Sequence, residues 1–174
     1  MTCSKKVDSP PLKPRLLITL KDTARQSVAG ATVTLYKNSN DPGITNISDS
    51  TGIVIFDSLE VALYYWVAQK DCKTNWNSQT TLKRVLVPDV ILYGYSVLSE
   101  TGTLKIINNS IDTYKVVDSF YKSSITLSKD TPYIGHPETG KHIIHSEKVS
   151  TPGVGKDTVV DIKCGDTSVI NLPL

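Results

Sequence analysis

The sequence predicts an all-β protein made of two tandem, small antiparallel β-sandwich domains of the immunoglobulin-like or prealbumin-like kind. Three observations predict this fold. Short segments alternate apolar and polar residues, turn-forming residues separate these segments at intervals of about ten residues, and strand-forming residues abound. A chain of 174 residues with strands this short suits two small domains better than one large domain. We place them at residues 15–98 and 99–174, after a tether at residues 1–14.

The first predicted strand is RLLITLK, residues 15–21, in which Leu16, Ile18 and Leu20 face inward. A polar turn over residues 22–30 follows. We expect it to return the chain into ATVTLYK, residues 31–37, as the antiparallel neighbour of the first strand.

The rest of the first domain continues this rhythm. The turn Asp49–Gly52 precedes IVIF, because Asp can bond the backbone two residues on and Gly is free to take a positive φ. We expect Leu59 to close the bottom of the core. Tyr64, Trp66 and Ala68 then give a large apolar inner face, and residues 82–98 supply one or two further strands.

The order of residues from 28 to 64 resembles the collagen-adhesin B-type and carboxypeptidase regulatory-like domains, which are β-sandwiches on bacterial surfaces. The matching residues are Val28, Gly30, Ala31, Val33, Leu35, Tyr36, Asp49, Gly52, Phe56, Leu59 and Tyr64. Ala62 stands where that family usually has a turn glycine. The resemblance implies a prealbumin-like or immunoglobulin-like β-sandwich at a bacterial surface. Some relatives carry a Lys to Asn isopeptide crosslink, for which this sequence offers no convincing set of residues.

The second domain repeats the strand and turn rhythm in TLKIINN, TYKVVDSF and SSITLS, and again at residues 140–149 and 158–163. Gly153–Lys156 predicts a hairpin turn, and Cys164–Thr167 predicts a turn into a last strand over residues 168–172. Residues 161–173 resemble the carboxyl-terminal end of short surface domains that follow such modules in lipoproteins of Gram-negative bacteria.

The amino end resembles the start of a mature bacterial lipoprotein. Cys3 precedes a polar stretch with several prolines, residues 7–14, which reads as a flexible linker. We therefore expect Cys3 to carry a lipid and the protein to be exported, as an outer-membrane lipoprotein held at the membrane through that anchor only. The alternative is that Cys3 is an incidental thiol. No apolar run approaches the roughly 20 residues of a membrane-spanning helix.

With Cys3 lipidated, the remaining cysteines, Cys72 and Cys164, either form one disulfide or lie as two buried free thiols. The sequence does not give the distance between them. We expect the thiols of Cys72 and Cys164 to be unlinked.

Two polar loops are the predicted ligand-binding surface. The first covers residues 38–48 and offers Asn40 and Asp41; the second covers residues 73–80 and offers Trp76 between Asn75 and Asn77. An indole among polar residues is suited to stack on a sugar ring or to anchor a protein partner, unless it folds back over the edge of the sandwich.

No assembled reactive group is predicted, so the protein is not expected to be an enzyme and no cofactor is expected. His142 and His145 are three apart on one strand and point to opposite faces, so we expect exposed edge histidines and no metal site, even with His136 nearby. No G-x-S-x-G or phosphate-binding glycine loop is present. A net charge of +2 with scattered Lys and Arg does not indicate nucleic-acid binding.

The resulting expectation is a bacterial cell-surface protein that binds a polysaccharide or a protein and acts as an adhesion module. The alternative is a structural spacer or an assembly subunit of a surface fibre, which exposed edge strands would favour.

Overall fold

The computed structural model describes residues 13–38, 40–75, 84–85, 87, 90–119 and 122–174. The described residues form strands and no helix, which confirms the all-β prediction. The chain divides into two compact units. The first contains the described residues up to Lys70 together with those of Ser78–Leu98, and the second contains residues 71–77 and Ser99–Leu174. The sequence analysis had assigned residues 71–77 to the first domain.

The first unit holds two groups of paired strands. Its strands are β1 (Arg15–Asp22), β2 (Thr32–Tyr36), β3 (Ile44–Ile47), β4 (Ile53–Phe56), β5 (Leu63–Lys70), β7 (Arg84–Val85) and most of β8 (Ile91–Glu100). β1 pairs antiparallel with β4 and parallel with β8. β2 pairs antiparallel with β3 and β5, and β5 pairs with β7. The inner faces of the two groups enclose one apolar core.

The predicted hairpin between the first two strands is wrong, because β1 and β2 belong to different groups of strands. The Asp22 carboxylate accepts hydrogen bonds from the backbone N–H groups of Ala24 and Gln26, at 3.0 and 2.9 Å. This turn carries the chain from one inner face to the other. β4 takes the place beside β1, with Leu16 opposite Phe56.

Several local predictions in the first unit are confirmed. The Asp49 carboxylate accepts a bond from the Thr51 amide at 2.8 Å, and Gly52 has a φ of +78°. Tyr64, Trp66, Ala68 and Leu59 are buried in the core. Trp66 lies against Gly94 of β8, where an added Cβ would come within 2.9 Å of the indole, and it donates to the Ser96 hydroxyl at 2.8 Å.

The second unit also holds two groups of strands. They are formed by β9 (Thr103–Asn108), β10 (Tyr114–Asp118), β11 (Ser123–Leu127), β12 (Tyr133–Gly135), β13 (Gly140–Lys148), β14 (Gly155–Ile162) and β15 (Thr167–Leu172). One sheet has the order β11-β10-β13-β14 and the other β12-β9-β15. The short strand β6 (Lys73–Thr74) pairs with the end of β8 at Glu100 and Ser99. The predicted hairpin and final turn are confirmed, and β12 was not predicted.

The two units share one pairing scheme, which the sequence analysis did not detect. In each unit the first strand pairs parallel with the last strand and antiparallel with the fourth, as β9 does with β15 and β12. In each, the second strand pairs antiparallel with the third and the fifth, as β10 does with β11 and β13. The fifth strand pairs with the sixth, as β13 does with β14. β6, which belongs to the second unit, lies outside this scheme.

A disulfide joins Cys72 to Cys164, so the expectation of two unlinked thiols is wrong. Both cysteines lie in the second unit, with Cα atoms 5.5 Å apart, inside the range that disulfides prefer. The Cys72 carbonyl also accepts a bond from the Thr101 amide at 2.8 Å. Residues 71–75 thus attach to the second unit through a covalent bond and through backbone pairing.

Candidate binding surfaces

The first predicted binding loop is shorter than the sequence indicated, because residues 44–47 form β3. The remaining turn is organised by its own side chains. Asp41 uses one carboxylate oxygen for the amide of Lys37 at 2.9 Å and the other for the amide of Gly43 at 3.0 Å. These amide bonds, first the one from Gly43, hold the pKa of the Asp41 carboxyl below its usual range. Asp41 therefore stabilises the turn, and Asn40 remains exposed beside it.

The second predicted loop lies only partly within the described residues. Asn75 is 5% exposed, so its side chain is not on the surface that a ligand reaches. Trp76 and Asn77 lie outside the described residues, as does Cys3. Their roles remain predictions.

The histidines occupy two different environments. His142 and His145 point to opposite faces of β13, as predicted. The expectation of exposed edge histidines is wrong for His142, which is 2% exposed. Its Nε2 donates to the Glu138 carbonyl at 2.9 Å, and its Nδ1 lies 3.0 Å from an Asp118 carboxylate oxygen.

His145 contacts the Asp157 carboxylate at 2.6 Å on the exposed face. In the part of the chain that the structure describes, no three His, Cys, Asp or Glu side chains are grouped to hold a metal ion. Within the same residues, no helix has the length and apolar character needed to span a membrane.

The outer face of the β4-β1-β8 strands presents a group of exposed apolar and aromatic side chains that the sequence analysis did not single out. We call it the tyrosine face, and it consists of the exposed Ile55, Ile91, Tyr93 and Tyr95 together with the half-buried Leu17. Tyr93 is 68% exposed, Tyr95 48% and Ile91 50%. The alternation of residues 91–98 could have revealed it, because Leu92, Gly94, Ser96 and Leu98 take the inward positions.

The register places these side chains in a row across three strands. Leu17 of β1 lies between Ile55 of β4 and Tyr93 of β8. The next outward row holds Thr19 and Tyr95. Two tyrosines that are two residues apart on a strand are separated by about 7 Å along it. The middle of the face therefore carries two exposed rings and no charged side chain.

A cleft of about 380 Å³ lies in the first unit beside the edge strands β3 and β4. Its lining includes Lys13, Lys37, Glu60 and Tyr64. Lys37 is paired with Glu60. The hydrogen bond between them is the main cause that raises the pKa of Lys37 and lowers the pKa of Glu60. Tyr64 is 1% exposed, and within the described residues its hydroxyl has no hydrogen-bond partner.

Comparisons with known proteins give structural likenesses only. No protein-family model matches the chain, and no curated protein matches it. Among solved structures, the chain is similar to the TIE protein of Bacillus anthracis, with 15% identity and a TM-score of 0.41 over 92% of this chain and 34% of that one. It is similar to a streptococcal ancillary pilin, with 14% identity and a TM-score of 0.42 over 95% and 63%.

A third likeness is to GBS52, the minor pilin of Streptococcus agalactiae, with 13% identity and a TM-score of 0.36 over 92% of this chain and 94% of that one. The chain spans about a third of the Bacillus anthracis protein and less than two thirds of the ancillary pilin. At these identities and TM-scores the likenesses assign no function to this chain.

Proposed function

We propose that this chain is a non-enzymatic, exported bacterial surface protein that binds a polysaccharide through its tyrosine face. The observation that carries the proposal is the pair Tyr93 and Tyr95, both exposed on one face of β8. Aromatic rings combine a large apolar surface with a polar tip, and this suits them to partners that are both apolar and hydrogen-bonding. A sugar ring is such a partner, with C–H groups on its faces and hydroxyls at its edge.

The surroundings of the two tyrosines favour an extended, uncharged ligand. Leu17 and Ile55 continue the apolar surface across neighbouring strands. The charged pair of Arg15 and Asp57 lies in the row before the two tyrosine rows, and Lys21 lies in the row after them. A neutral polysaccharide chain can lie along the middle of the face without removing a charge from water, which would cost binding energy.

The disulfide supports export. Structural disulfides form and persist in oxidising compartments such as the cell envelope and are rare in the cytosol. The bond between Cys72 and Cys164 spans a sequence separation of 92 residues. Export is consistent with a lipid anchor at Cys3 and with a location at the outer membrane. Mass spectrometry of the protein extracted from membranes tests whether Cys3 carries a lipid.

Binding to insoluble polysaccharides tests the proposal. The full chain is mixed with a panel of neutral polysaccharides, including cellulose, chitin and a β-1,3-glucan, and the bound fraction is measured. We expect one or more of them to retain the protein, and Tyr93→Ala and Tyr95→Ala each to weaken retention about tenfold, the typical cost of losing an aromatic anchor. Ile111→Ala, at an exposed position of the second unit, is the matched control.

Two results would overturn this assignment. One is no retention on any polysaccharide of a broad panel, and the other is retention that both tyrosine variants leave intact. If Trp76→Ala abolishes binding while Tyr93→Ala does not, the predicted loop is the binding surface and the tyrosine face is not.

A role as an assembly subunit is the second candidate, and the edge strands favour it. All four residues of β3 are exposed, with Ile44 and Ile47 among them, and β3 ends its row of strands. β14 is an eight-residue edge strand with an exposed Val159. An exposed edge can accept a strand from a neighbouring chain. A sedimentation coefficient that rises with protein concentration in the parent, but not in Ile47→Lys, would support assembly.

A further inference from the structure

We propose that the cleft beside β3 and β4 is a second binding site, which takes a carboxylate group through the Tyr64 hydroxyl and the amines of Lys13 and Lys37. Neither Tyr93 nor Tyr95 lines this cleft. Ile55 borders both surfaces, so the two sites are tested at residues that they do not share. Two sources share the chemistry: an acidic sugar and the carboxyl terminus of a peptide.

The first argument is the Tyr64 hydroxyl. A buried polar atom without a partner costs free energy, and nearly all such atoms in native proteins are bonded to protein or water. Tyr64 is 1% exposed, lines the cleft, and has no partner for its hydroxyl among the described residues. A ligand oxygen in the cleft would accept this hydrogen bond, and a charged acceptor would make it about twice as strong as a neutral one.

The second argument is the charge of the lining. Lys13 and Lys37 line the cleft together with the carboxylates of Asp57 and Glu60, and Asp57 is paired with Arg15. Lys37 pairs with Glu60, whose side chain is mostly exposed. Such surface pairs contribute little to stability, so a ligand carboxylate can replace Glu60 at the Lys37 amine. The Glu60 carboxylate thus occupies the position that the ligand group would take.

The third argument is size and rigidity. A volume of about 380 Å³ lies at the small end of the range for small-molecule sites and fits one sugar ring or the last residues of a peptide. Asn46 of β3 donates to the Ile55 carbonyl of β4 at 2.8 Å, and the amide of Leu59 donates to the Pro14 carbonyl at 3.1 Å. These bonds hold the walls in place before a ligand arrives.

NMR titration of the full chain tests the site. The probes are D-glucuronate with D-glucose as its uncharged match, and an N-acetylated tripeptide with either a free or an amidated carboxyl terminus. We expect the free carboxylate forms to shift amide resonances around Lys37, Glu60 and Leu59, and the uncharged forms to leave them in place. A response to glucuronate alone identifies the acidic sugar, and a response to the free peptide alone identifies the peptide terminus; each supports the site.

Two variants separate a ligand contact from a structural role. Tyr64→Phe removes an unpartnered hydroxyl, so the thermal unfolding temperature should stay equal to or rise above that of the parent, while carboxylate affinity falls about tenfold. Glu60→Gln frees Lys37 from its competitor, so carboxylate affinity should rise about twofold to fivefold. Tyr65→Phe, whose ring stacks on Tyr36, is the matched control.

The proposal is overturned if no carboxylate probe shifts these resonances, if glucose binds as well as glucuronate, or if Tyr64→Phe binds the carboxylate as tightly as the parent. A fall in carboxylate affinity in Glu60→Gln would equally contradict it.

Discussion

The first unit buries a larger apolar core than the second, although the two share one strand-pairing scheme. Among the described residues, 14 buried apolar side chains form the core of the first unit, and Trp66, Tyr64 and Phe56 are the large ones. The second unit's core has nine, mostly aliphatic. It adds a disulfide and buried polar groups such as Asn108 and His142. A small core commonly depends on cross-links of this kind.

The difference teaches that one pairing scheme can be stabilised in two ways. In the first unit the indole of Trp66 fills the space over Gly94. In the second, Asn108 donates to the carbonyls of Leu127 and Asp112, at 3.0 and 2.7 Å, and accepts from the amide of Ser110 at 3.0 Å. Apolar burial stabilises the first unit, while specific bonds contribute more in the second.

Removing the disulfide should give the largest effect and should act on the second unit. The double variant Cys72→Ala with Cys164→Ala is expected to lose about 4 to 5 kcal/mol of unfolding free energy, because the crosslink closes a long loop in the unfolded chain. Denaturant unfolding measures the loss, and hydrogen exchange with mass spectrometry locates it. Cys3→Ser is the control. Loss of protection mainly in residues 15–70 would contradict the comparison.

Truncating Trp66 should act on the first unit. Trp66→Ala leaves a large cavity between β5 and β8 and is expected to cost about 3 to 5 kcal/mol, with Trp66→Phe costing less. The same exchange measurement should show faster exchange in β1, β2 and β5. If the backbone amides of these strands exchange as slowly in Trp66→Ala as in the parent, burial of the indole does not stabilise the first unit.

Removing the Asn108 side chain should cost the second unit less than removing its crosslink. Asn108→Ala leaves the Leu127 and Asp112 carbonyls and the Ser110 amide without their bonds, and we expect a loss of about 2 to 3 kcal/mol. Asn109→Ala, next to it and exposed, serves as the control. Equal unfolding midpoints for the two variants would show that the buried amide network does not stabilise this unit.

Lowering the pH should give the smallest loss of unfolding free energy, and the loss should occur in both units. The Thr51 hydroxyl and nearby backbone amides hold the pKa of Asp49 below its usual 3.8, and the Gly153 amide is the main cause that lowers the pKa of Glu147. Both carboxyls bind protons less readily when folded. Their stabilising contribution is therefore complete above their unfolded pKa values, near 4, and is lost as the pH falls through the folded values.

Asp49→Asn should flatten the loss of stability of the first unit below about pH 4, and Glu147→Gln should do the same for the second. Unfolding midpoints measured between pH 2 and pH 7 report both. A variant whose acid profile matches the parent's would show that the carboxylate does not contribute.

Local patterns predicted most of the strands, because side-chain alternation is a property of neighbouring residues. The inward set Leu16, Ile18 and Leu20, the turn at Asp49, and the hairpin at Gly153 follow from residues close together in the chain. The three-residue strand β12 was missed because it is too short to show a period. The tyrosine face was not predicted, because it joins side chains of β8, β1 and β4 that only the pairing of these strands brings together.

By itself, the sequence determined the all-β class, the positions of most strands, and the burial of Trp66 and Tyr64, since each depends on composition and on alternation within a short segment. Only the tertiary structure decided which strands pair, that Cys72 meets Cys164, and that Lys13, Lys37 and Tyr64 line one cleft. These depend on contacts between residues far apart in the chain. Closing the long loops between such residues costs conformational entropy, which apolar burial in the core of each unit offsets, and no local pattern records that balance.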